Sequence, residues 1–511
     1  MIQWRKHFYL FPVLLLASFL ASCQFEDDQE CPGENDNVKA NYINLTIAVS
    51  NGEARGTRAG EPLGGENGDG REAGFERENT VTGITLVLYK DATGINTSAN
   101  PTLDFVRYFP VTLESRDTQG TDKSPKNDEA RYTTGDQPIG KPNLDFSAKY
   151  HAIVIANQTL PSSIVEGTSR LKDLRDETTK IVYSGSPKDP ADACANFVMT
   201  SEQDNTIDFS SVTVTSDAAG DKHYDLTGQA LVIERMAARI DFHAAKSNGY
   251  KTSTDNPAYT IPGYEYDVTG SSDKFVVTGI VPFNLVNGNA TYGSEYLFKR
   301  IRTDISDAST MSRLADETAS TYVIDPKTMD KVTAGTPDLT SPLSDVYTLI
   351  GNISDLSKKQ LENTADNPYY KSIESMQSST TGKSTVDGKD NLVVCYPMEN
   401  CLLPEKSKLY YHATGIAIIG YYYQNGTGTG TRYVYLSYLR HQGDAESYDV
   451  QPYTTPLATD ATMDSTTPML YGVVRNNIYR ISINSVDKKG TLELKIMVKE
   501  WDPYTHDFIY M

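Results

Sequence analysis

Apolar and polar residues alternate along much of the chain, and this period of two predicts β-strands. The first such stretch covers residues 42–49, and its apolar positions are Ile43, Leu45, Ile47 and Val49. The run 80–90 also alternates, and 149–157 is a short apolar run typical of a buried strand. Residues 414–424, 476–486 and 490–501 are predicted as strands as well. Strands are therefore predicted for most of the length of the chain.

The segment GQALVIERMAARIDFHA (228–244) is ambiguous on local grounds. Its overall propensity is compatible with a helix, but β-branched and aromatic residues such as Val232 and Phe242, and the strands on either side, favour a strand. Turn signals such as Asn425-Gly426 and Asn287-Gly288 separate the runs. Many short strands between turns predict an all-β chain of β-sandwiches, with few and short helices in the loops.

Composition limits the classes of partner. The chain has 511 residues, enough for several domains, and it contains 33 Tyr but only 2 Trp. Its net charge is −20, and the sequence shows no basic patch. Because nucleic-acid binding depends on Lys and Arg contacts to phosphates, nucleic acid is not an expected partner.

The N-terminus predicts export. Arg5 and Lys6 precede the apolar run FYLFPVLLLASFLA, which is shorter than the roughly 20 residues of a membrane span and is typical of a signal peptide at 1–22. The small residues before Cys23 resemble a bacterial lipobox, so we predict lipidation (palmitate) of Cys23, with an ordinary signal followed by a chance cysteine as the alternative. The acidic QFEDDQE that follows resembles an export tag of surface lipoproteins.

The remaining cysteines leave two interpretations open. Cys395 and Cys401 are close enough in sequence for a candidate disulfide in an oxidising compartment, and buried free thiols are the alternative. Cys31 lies in the leader tail, and Cys194 has no mate within this set.

Catalytic and metal-binding motifs are weak or missing. STTGKST (379–385) ends like a phosphate-binding loop, but Gln377 stands where the pattern needs its first glycine. No GxSxG occurs, and the seven His show no zinc spacing. We therefore predict no enzyme activity, no metal and no cofactor. The Tyr-rich segments 421–423 and 433–438 are interpreted either as strand faces or as surfaces that stack on sugars.

A protease-accessible loop follows the first strand directly. Residues 51–79 are rich in Gly, Asn and acidic residues and contain Arg55, Arg58 and Arg71. Loops of this composition are preferred sites of proteolytic cutting. An uncut surface loop is the alternative interpretation.

Several segments in chain order resemble the fimbrillins of Bacteroidia, the Mfa-like and FimA-like major subunits of type V pili. They are the lipobox, GTRAGE (56–61), VIERMAARIDF (232–242), SEYLFKRI (294–301), CYPMEN (395–400), YLSYLRH (435–441), YGVVRNNIYRISI (471–483) and the final VKEWDPYTHDFIYM. The long insertions and the pair Cys395 and Cys401 depart from the family pattern.

The resemblance implies two Greek-key, transthyretin-like β-sandwich domains. The implied ranges are a signal peptide at 1–22, a lipidated propeptide with the first strand at 23–58, an N-terminal domain at 59–248, and a C-terminal domain with a terminal donor strand at 249–511. It also implies export as an outer-membrane lipoprotein and cutting by an Arg-specific surface protease after Arg58, before Ala59, with Arg55 as second choice.

Strand exchange between subunits follows from the same resemblance. Cutting would release the removable strand (Ile43, Leu45, Ile47 and Val49), and the next subunit would insert a donor strand (Phe508, Ile509, Tyr510 and Met511). Expected partners are copies of this chain, other fimbrial subunits (anchor and tip), and host or bacterial surface ligands. The alternative function is that of a tip adhesin or surface glycan-binding lipoprotein, which would keep its first strand.

Overall fold

The structure is a computed structural model. It describes residues 40–49, 71–90, 101–116, 130–140, 142–176, 184–185, 189–201, 205–285, 369–401, 413–439, 447–452, 472–473 and 475–502. These residues all belong to one compact unit that begins at Ala40.

Strands make up most of the described residues. Those before residue 236 are β1 Asn41–Val49, β2 Arg71–Ala73, β3 Gly83–Tyr89, β4 Leu103–Pro110, β5 Thr112–Arg116, β6 Ala130–Thr133, β7 Gln137–Pro138, β8 Lys149–Ala156, β9 Met199–Ser201, β10 Thr206–Asp208, β11 Thr213–Ser216 and β12 Lys222–Arg235. Those after it are β13 Arg239–His243, β14 Tyr250–Lys251, β15 Gly263–Asp267, β16 Lys274–Phe283, β17 Lys371–Ser372, β18 Lys383–Val386, β19 Lys389–Cys395, β20 Asn400–Cys401, β21 Gly415–Tyr423, β22 Thr431–Tyr438, β23 Tyr448–Val450, β24 Gly472–Val473, β25 Asn477–Val486 and β26 Leu492–Asp502. The α-helices are short: α1 Glu76–Asn79, α2 Leu171–Asp176 and α3 Ile373–Ser378.

The first sheet bends back on itself. Its main path runs β4-β3-β8-β9-β12-β1-β6-β5, with β7, β10 and β11 paired at the side. The two strands at the ends of this path, β4 and β5, are separated in the chain only by Val111. Because one nearly continuous stretch of chain supplies both ends, the sheet has to curve into two facing layers.

The remaining strands form further sheets. The second sheet runs β18-β19-β13-β25-β26-β2, with β23 beside β26, and the third runs β14-β15-β16-β21-β22, with β17 beside β16. A pair of β20 and β24 stands apart. The early strand β2 therefore belongs to the second sheet, whereas β1 lies in the first.

Two large hydrophobic clusters among the described residues fill the spaces between these layers. One is built mainly from strands β1 to β12, and the other mainly from strands β13 to β26. The apolar residues that alternate in the sequence supply both clusters. The all-β fold in sandwich-like layers is thus confirmed; the domain boundaries stay a prediction.

The ambiguous segment 228–244 is extended, as predicted, but it is not one strand. β12 ends at Arg235 in the first sheet, and β13 begins at Arg239 in the second sheet. Met236, Ala237 and Ala238 connect the two and are buried. This crossing point brings two buried arginines to the boundary between the two hydrophobic clusters.

Candidate functional site

β1 is an internal strand of the first sheet. It runs parallel to β12, with Asn41 opposite Lys222 and Val49 opposite Ile233. On its other side it pairs antiparallel with β6 and β7. Below, the edges of β12, β6 and β7 that β1 joins are called the β1 groove. Removing β1 would leave the backbone groups along both edges without their partners.

The apolar side chains of β1 are completely buried. Each of the predicted positions is 0% exposed, namely Ile43, Leu45, Ile47 and Val49. Burying an aliphatic side chain of this size is worth roughly 1.5–3 kcal/mol, so the four contribute about 6–12 kcal/mol. This is comparable to the net stability of a whole domain, about 5–15 kcal/mol. An empty β1 groove would therefore be strongly unfavourable.

The groove has a step in the middle of the strand. Leu45 lies opposite Leu226 of β12, but Ile47 lies opposite Leu231, so β12 bulges between these positions. At this step the backbone N–H of Leu45 donates to the hydroxyl oxygen of Thr134 over 3.0 Å, and the Thr134 N–H donates to the Leu45 carbonyl over 3.1 Å. Thr134 thus fixes the position of β1 where its neighbour changes from β7 to β6.

An aromatic contact marks the start of β1. The ring of Tyr42 stacks on the imidazole of His223 in β12, with centroids 4.7 Å apart and an angle of 7° between the rings. The imidazole Nδ1 lies 3.2 Å from a carboxylate oxygen of Asp136. The backbone N–H of Ala40 donates to the Asp221 carboxylate over 2.8 Å. These contacts hold the first residues of β1 without burying them fully.

The chain that follows the loop is anchored in a different place. β2 pairs in parallel with the end of β26, with Arg71 opposite Glu500. The guanidinium of Arg77 donates to the carbonyls of Cys194 and Thr381 and to the hydroxyl of Tyr396. Residues 71 to 77 are therefore held by several distant parts of the chain.

A buried ionic cluster completes this anchor. Arg239 donates to the carboxylate of Glu78 over 3.0 Å and to both oxygens of Asp241 over 2.9 and 2.8 Å. All three side chains are at most 1% exposed. Tyr396 donates to Glu78 as well, and burial together with this neighbouring carboxylate holds the pKa of Tyr396 well above its usual value. The phenol therefore stays protonated as a donor.

Most residues singled out from the sequence lie outside the described residues. They are Cys23, Arg55, Arg58, Ala59, Phe508, Ile509, Tyr510 and Met511. The removable strand is described, and it is packed as strand β1. Thr134, His223 and Glu78 were missed, because no local pattern indicates that residues so distant in the chain become neighbours.

Cys395, one member of the candidate disulfide, is a buried free thiol. The side chain of Cys401 lies outside the described residues. Burial raises the pKa of Cys395 to about 12. A thiol enclosed in this way has little access to a partner or an oxidant.

The Tyr-rich strands form protein contacts. Tyr423, Tyr435 and Tyr438 are at most 8% exposed. The hydroxyl of Tyr422 donates to Asp273 over 2.7 Å, and its ring contacts Tyr433 edge-on with centroids 6.1 Å apart. These contacts favour the interpretation as packed strand faces.

No group of three or more His, Cys, Asp or Glu side chains is arranged to hold a metal ion within the described ranges. In the same part of the chain, no helix is both long enough and apolar enough to span a membrane.

Comparisons with known proteins gave structural likenesses only. No family model matches the chain, and no curated protein matches it. One similar structure is a Parabacteroides distasonis protein assigned to cell adhesion, with a TM-score of 0.40 and 11% identity over 90% of this chain and 99% of that chain. Another is the tip fimbrial protein Mfa3 of Porphyromonas gingivalis with a C-terminal truncation. Its TM-score is 0.38, with 10% identity over 90% of this chain and 100% of that chain.

A third similar structure is a fimbrilin, FimA, of Porphyromonas gingivalis, with a TM-score of 0.35 and 12% identity over 91% of this chain and 99% of that chain. These similar structures are of the kind that the fimbrillin resemblance in the sequence names.

Proposed function

We propose that this chain is a structural subunit of a cell-surface fimbria that polymerises by exchanging β1 for a strand of the next subunit. One observation carries the proposal. β1 is an internal strand of the first sheet whose apolar side chains are completely buried, and the described chain resumes only at β2 in the second sheet. A single cut between residues 50 and 70 would leave β1 held by non-covalent contacts alone.

Exchange through the β1 groove makes filaments. An incoming strand would pair with the edges of β12, β6 and β7 by β-strand addition. The donating segment and the accepting groove are different surfaces, so the contact is heterologous and does not close on itself. Subunits would add head to tail, and adhesion to surface ligands would be a property of the assembled fimbria.

The arginines of the loop are not equivalent as cutting sites. Arg71 begins strand β2, and the guanidinium of Arg77 is engaged by two carbonyls and a phenol. A protease needs a target chain that is not paired in a sheet and an arginine side chain that is accessible. We therefore propose cutting after Arg58, with Arg55 as second choice, and a mature chain that starts at Ala59.

The precursor would reach the surface as a lipoprotein. In this proposal Cys23 carries the lipid at the outer membrane, and cutting after Arg58 separates the mature subunit from this anchor. The removed piece would include β1. Release from the anchor and opening of the β1 groove would then be a single event.

An Arg-specific protease tests the proposal. Purified chain treated with it should give one cut, with Ala59 as the new N-terminal residue, followed by SDS-resistant ladders. Arg58→Gln should block the cut and the ladders, and Arg55→Gln is the matched control that should leave both. Deleting residues 504–511 should abolish ladders while circular dichroism stays unchanged. A protein that stays monomeric after the cut would refute the proposal and favour an adhesin that keeps its first strand.

A further inference from the structure

The first half of the β1 groove accepts a particular side-chain pattern. Within Asn41–Leu45, the side chains of Ile43 and Leu45 are 0% exposed, whereas those of Tyr42 and Asn44 are half-buried. We call these five positions the first half-site. It takes aliphatic residues at its third and fifth positions and tolerates large residues between them.

The second half of the groove is more restrictive. Within Thr46–Val49, which we call the second half-site, Thr46 is 2% exposed and Ala48 is 0% exposed, so both faces of the strand are enclosed. A large side chain at either of these positions would overpack a closed site. Only small residues fit between the apolar positions here.

We propose that Asp507–Met511 of a second copy of this chain occupies the first half-site, parallel to β12. This inference rests on the proposed strand exchange and specifies its register. The matched positions are Asp507 for Asn41, Phe508 for Tyr42, Ile509 for Ile43, Tyr510 for Asn44 and Met511 for Leu45. Both aliphatic residues then fill the closed positions, and both aromatic residues take the half-buried ones.

Registers shifted deeper into the groove conflict with the burial pattern. A shift by two residues would put Tyr510 at the enclosed position of Thr46 and the carboxylate of Asp507 at that of Ile43. A shift by four would put Tyr510 in place of Ala48. Burying an unpaired carboxylate or overpacking a closed site is costly.

A shift by one residue conflicts with the same pattern. It would turn Phe508 and Tyr510 into the closed positions of Ile43 and Leu45. These positions are filled by smaller aliphatic side chains and are 0% exposed. The proposed register gives every large side chain room, whereas each of these shifted registers does not.

Two residues of the groove favour this register. His223 presents a ring that already stacks on Tyr42, so Phe508 would replace one aromatic contact by another. Thr134 would accept a hydrogen bond from the N–H of Met511 and donate to its backbone oxygen, as it does with Leu45.

The same register also accounts for a proline. Pro503 would stand four residues before Asp507, ahead of the first paired position. A proline there gives up no ladder hydrogen bond, whereas one inside the groove would. The sequence before the proposed docking segment is therefore compatible with the register.

Disulfide trapping tests the register directly. Leu226 of the neighbouring strand β12 is paired with the position of Leu45 and is 8% exposed. Chains that carry Leu226→Cys with Met511→Cys are cut with the Arg-specific protease, allowed to form ladders and oxidised. We expect covalent ladders in non-reducing SDS gels. The matched control combines Leu226→Cys with Ile509→Cys and should give none, and Leu226→Cys alone checks that the native cysteines do not cross-link.

A second pair of variants tests the aromatic contact. Phe508→Ala should speed the dissociation of ladders by about tenfold, because the stack on His223 is lost together with buried area. Phe508→Tyr restores the residue type found at position 42 and should stay within about twofold of the unmodified chain. Equal dissociation rates for the two variants would contradict the role of His223.

The outcomes separate this inference from the proposed function. If the unmodified chain forms no ladders after the cut, strand exchange itself is refuted. If it forms ladders but the pair at 226 and 509 cross-links, or neither pair does, the register is wrong while polymerisation stands. Unchanged circular dichroism of each uncut variant shows that the substitutions leave the fold intact.

Discussion

Leu45 is the most direct test of how strongly β1 is held. Its side chain is 0% exposed, and its backbone N–H and carbonyl both bond to Thr134. Leu45→Ala removes the packing and keeps these backbone bonds. Large-to-small changes of this kind in a closed core cost about 2–5 kcal/mol, since both transfer free energy and cavity formation contribute. We expect a loss of this size in the free energy of unfolding of the intact chain.

Asn44→Ala is the matched control on the same strand. Asn44 is half-buried, and its amide oxygen accepts one hydrogen bond from the Thr133 hydroxyl over 3.0 Å. Losing one such bond costs about 0.5–1.5 kcal/mol. Both variants are unfolded in urea, and their free energies are compared with that of the unmodified chain. The two costs should differ clearly if β1 is held by its buried face.

The cut chain gives a more sensitive readout. After proteolysis β1 is held without a covalent link, so weaker packing should appear mainly in its dissociation rate. A loss of about 2–5 kcal/mol corresponds to roughly 30- to 5,000-fold faster release. Size-exclusion chromatography with mass spectrometry follows the released piece over time. If Leu45→Ala releases it no faster than Asn44→Ala does, the packing of β1 is not what holds it.

Three further predictions concern the residues around the groove and its anchor. Thr134→Val leaves the buried Leu45 N–H without its acceptor and should lower the free energy of unfolding in urea by about 1–3 kcal/mol. Thr134→Ser should cost less, because it keeps the hydroxyl. Equal costs would contradict the role of this hydroxyl as the acceptor. Arg239→Met leaves Asp241 buried without its cation and removes the nearer of the two arginines beside Glu78, so it should cost about 3–5 kcal/mol. Arg107→Met should cost only about 0–1 kcal/mol, because the side chain of Arg107, whose partner is Glu166, is 42% exposed. Similar values for the two would argue against the ionic anchor. Burial raises the pKa of Cys395 to about 12, so almost no thiolate is present at pH 8. Iodoacetamide should therefore modify Cys395 only after unfolding, as measured by mass spectrometry. Rapid labelling of the folded chain would show that the thiol is accessible.

The sequence by itself determined the type of structure and the buried face of β1. Side chains alternate between the two faces of a strand, so a short window is enough to identify a strand and its apolar face. The positions of Ile43, Leu45, Ile47 and Val49 followed from this rule. The strand character of 228–244 followed instead from its β-branched and aromatic residues and from the strands on either side, because its propensity was compatible with a helix as well.

The tertiary structure alone decided which residues meet. Leu45 bonds to Thr134, 89 residues away, and Arg239 bonds to Glu78, 161 residues away. The division of 228–244 between two sheets and the placement of β2 beside β26 are of the same kind. Strand pairing and ion pairing over such separations depend on the path of the whole chain. The alternation of apolar and polar residues within a short window contains no information about that path. The sequence pattern therefore indicates the buried face of β1, but only the folded protein shows which strands lie beside it.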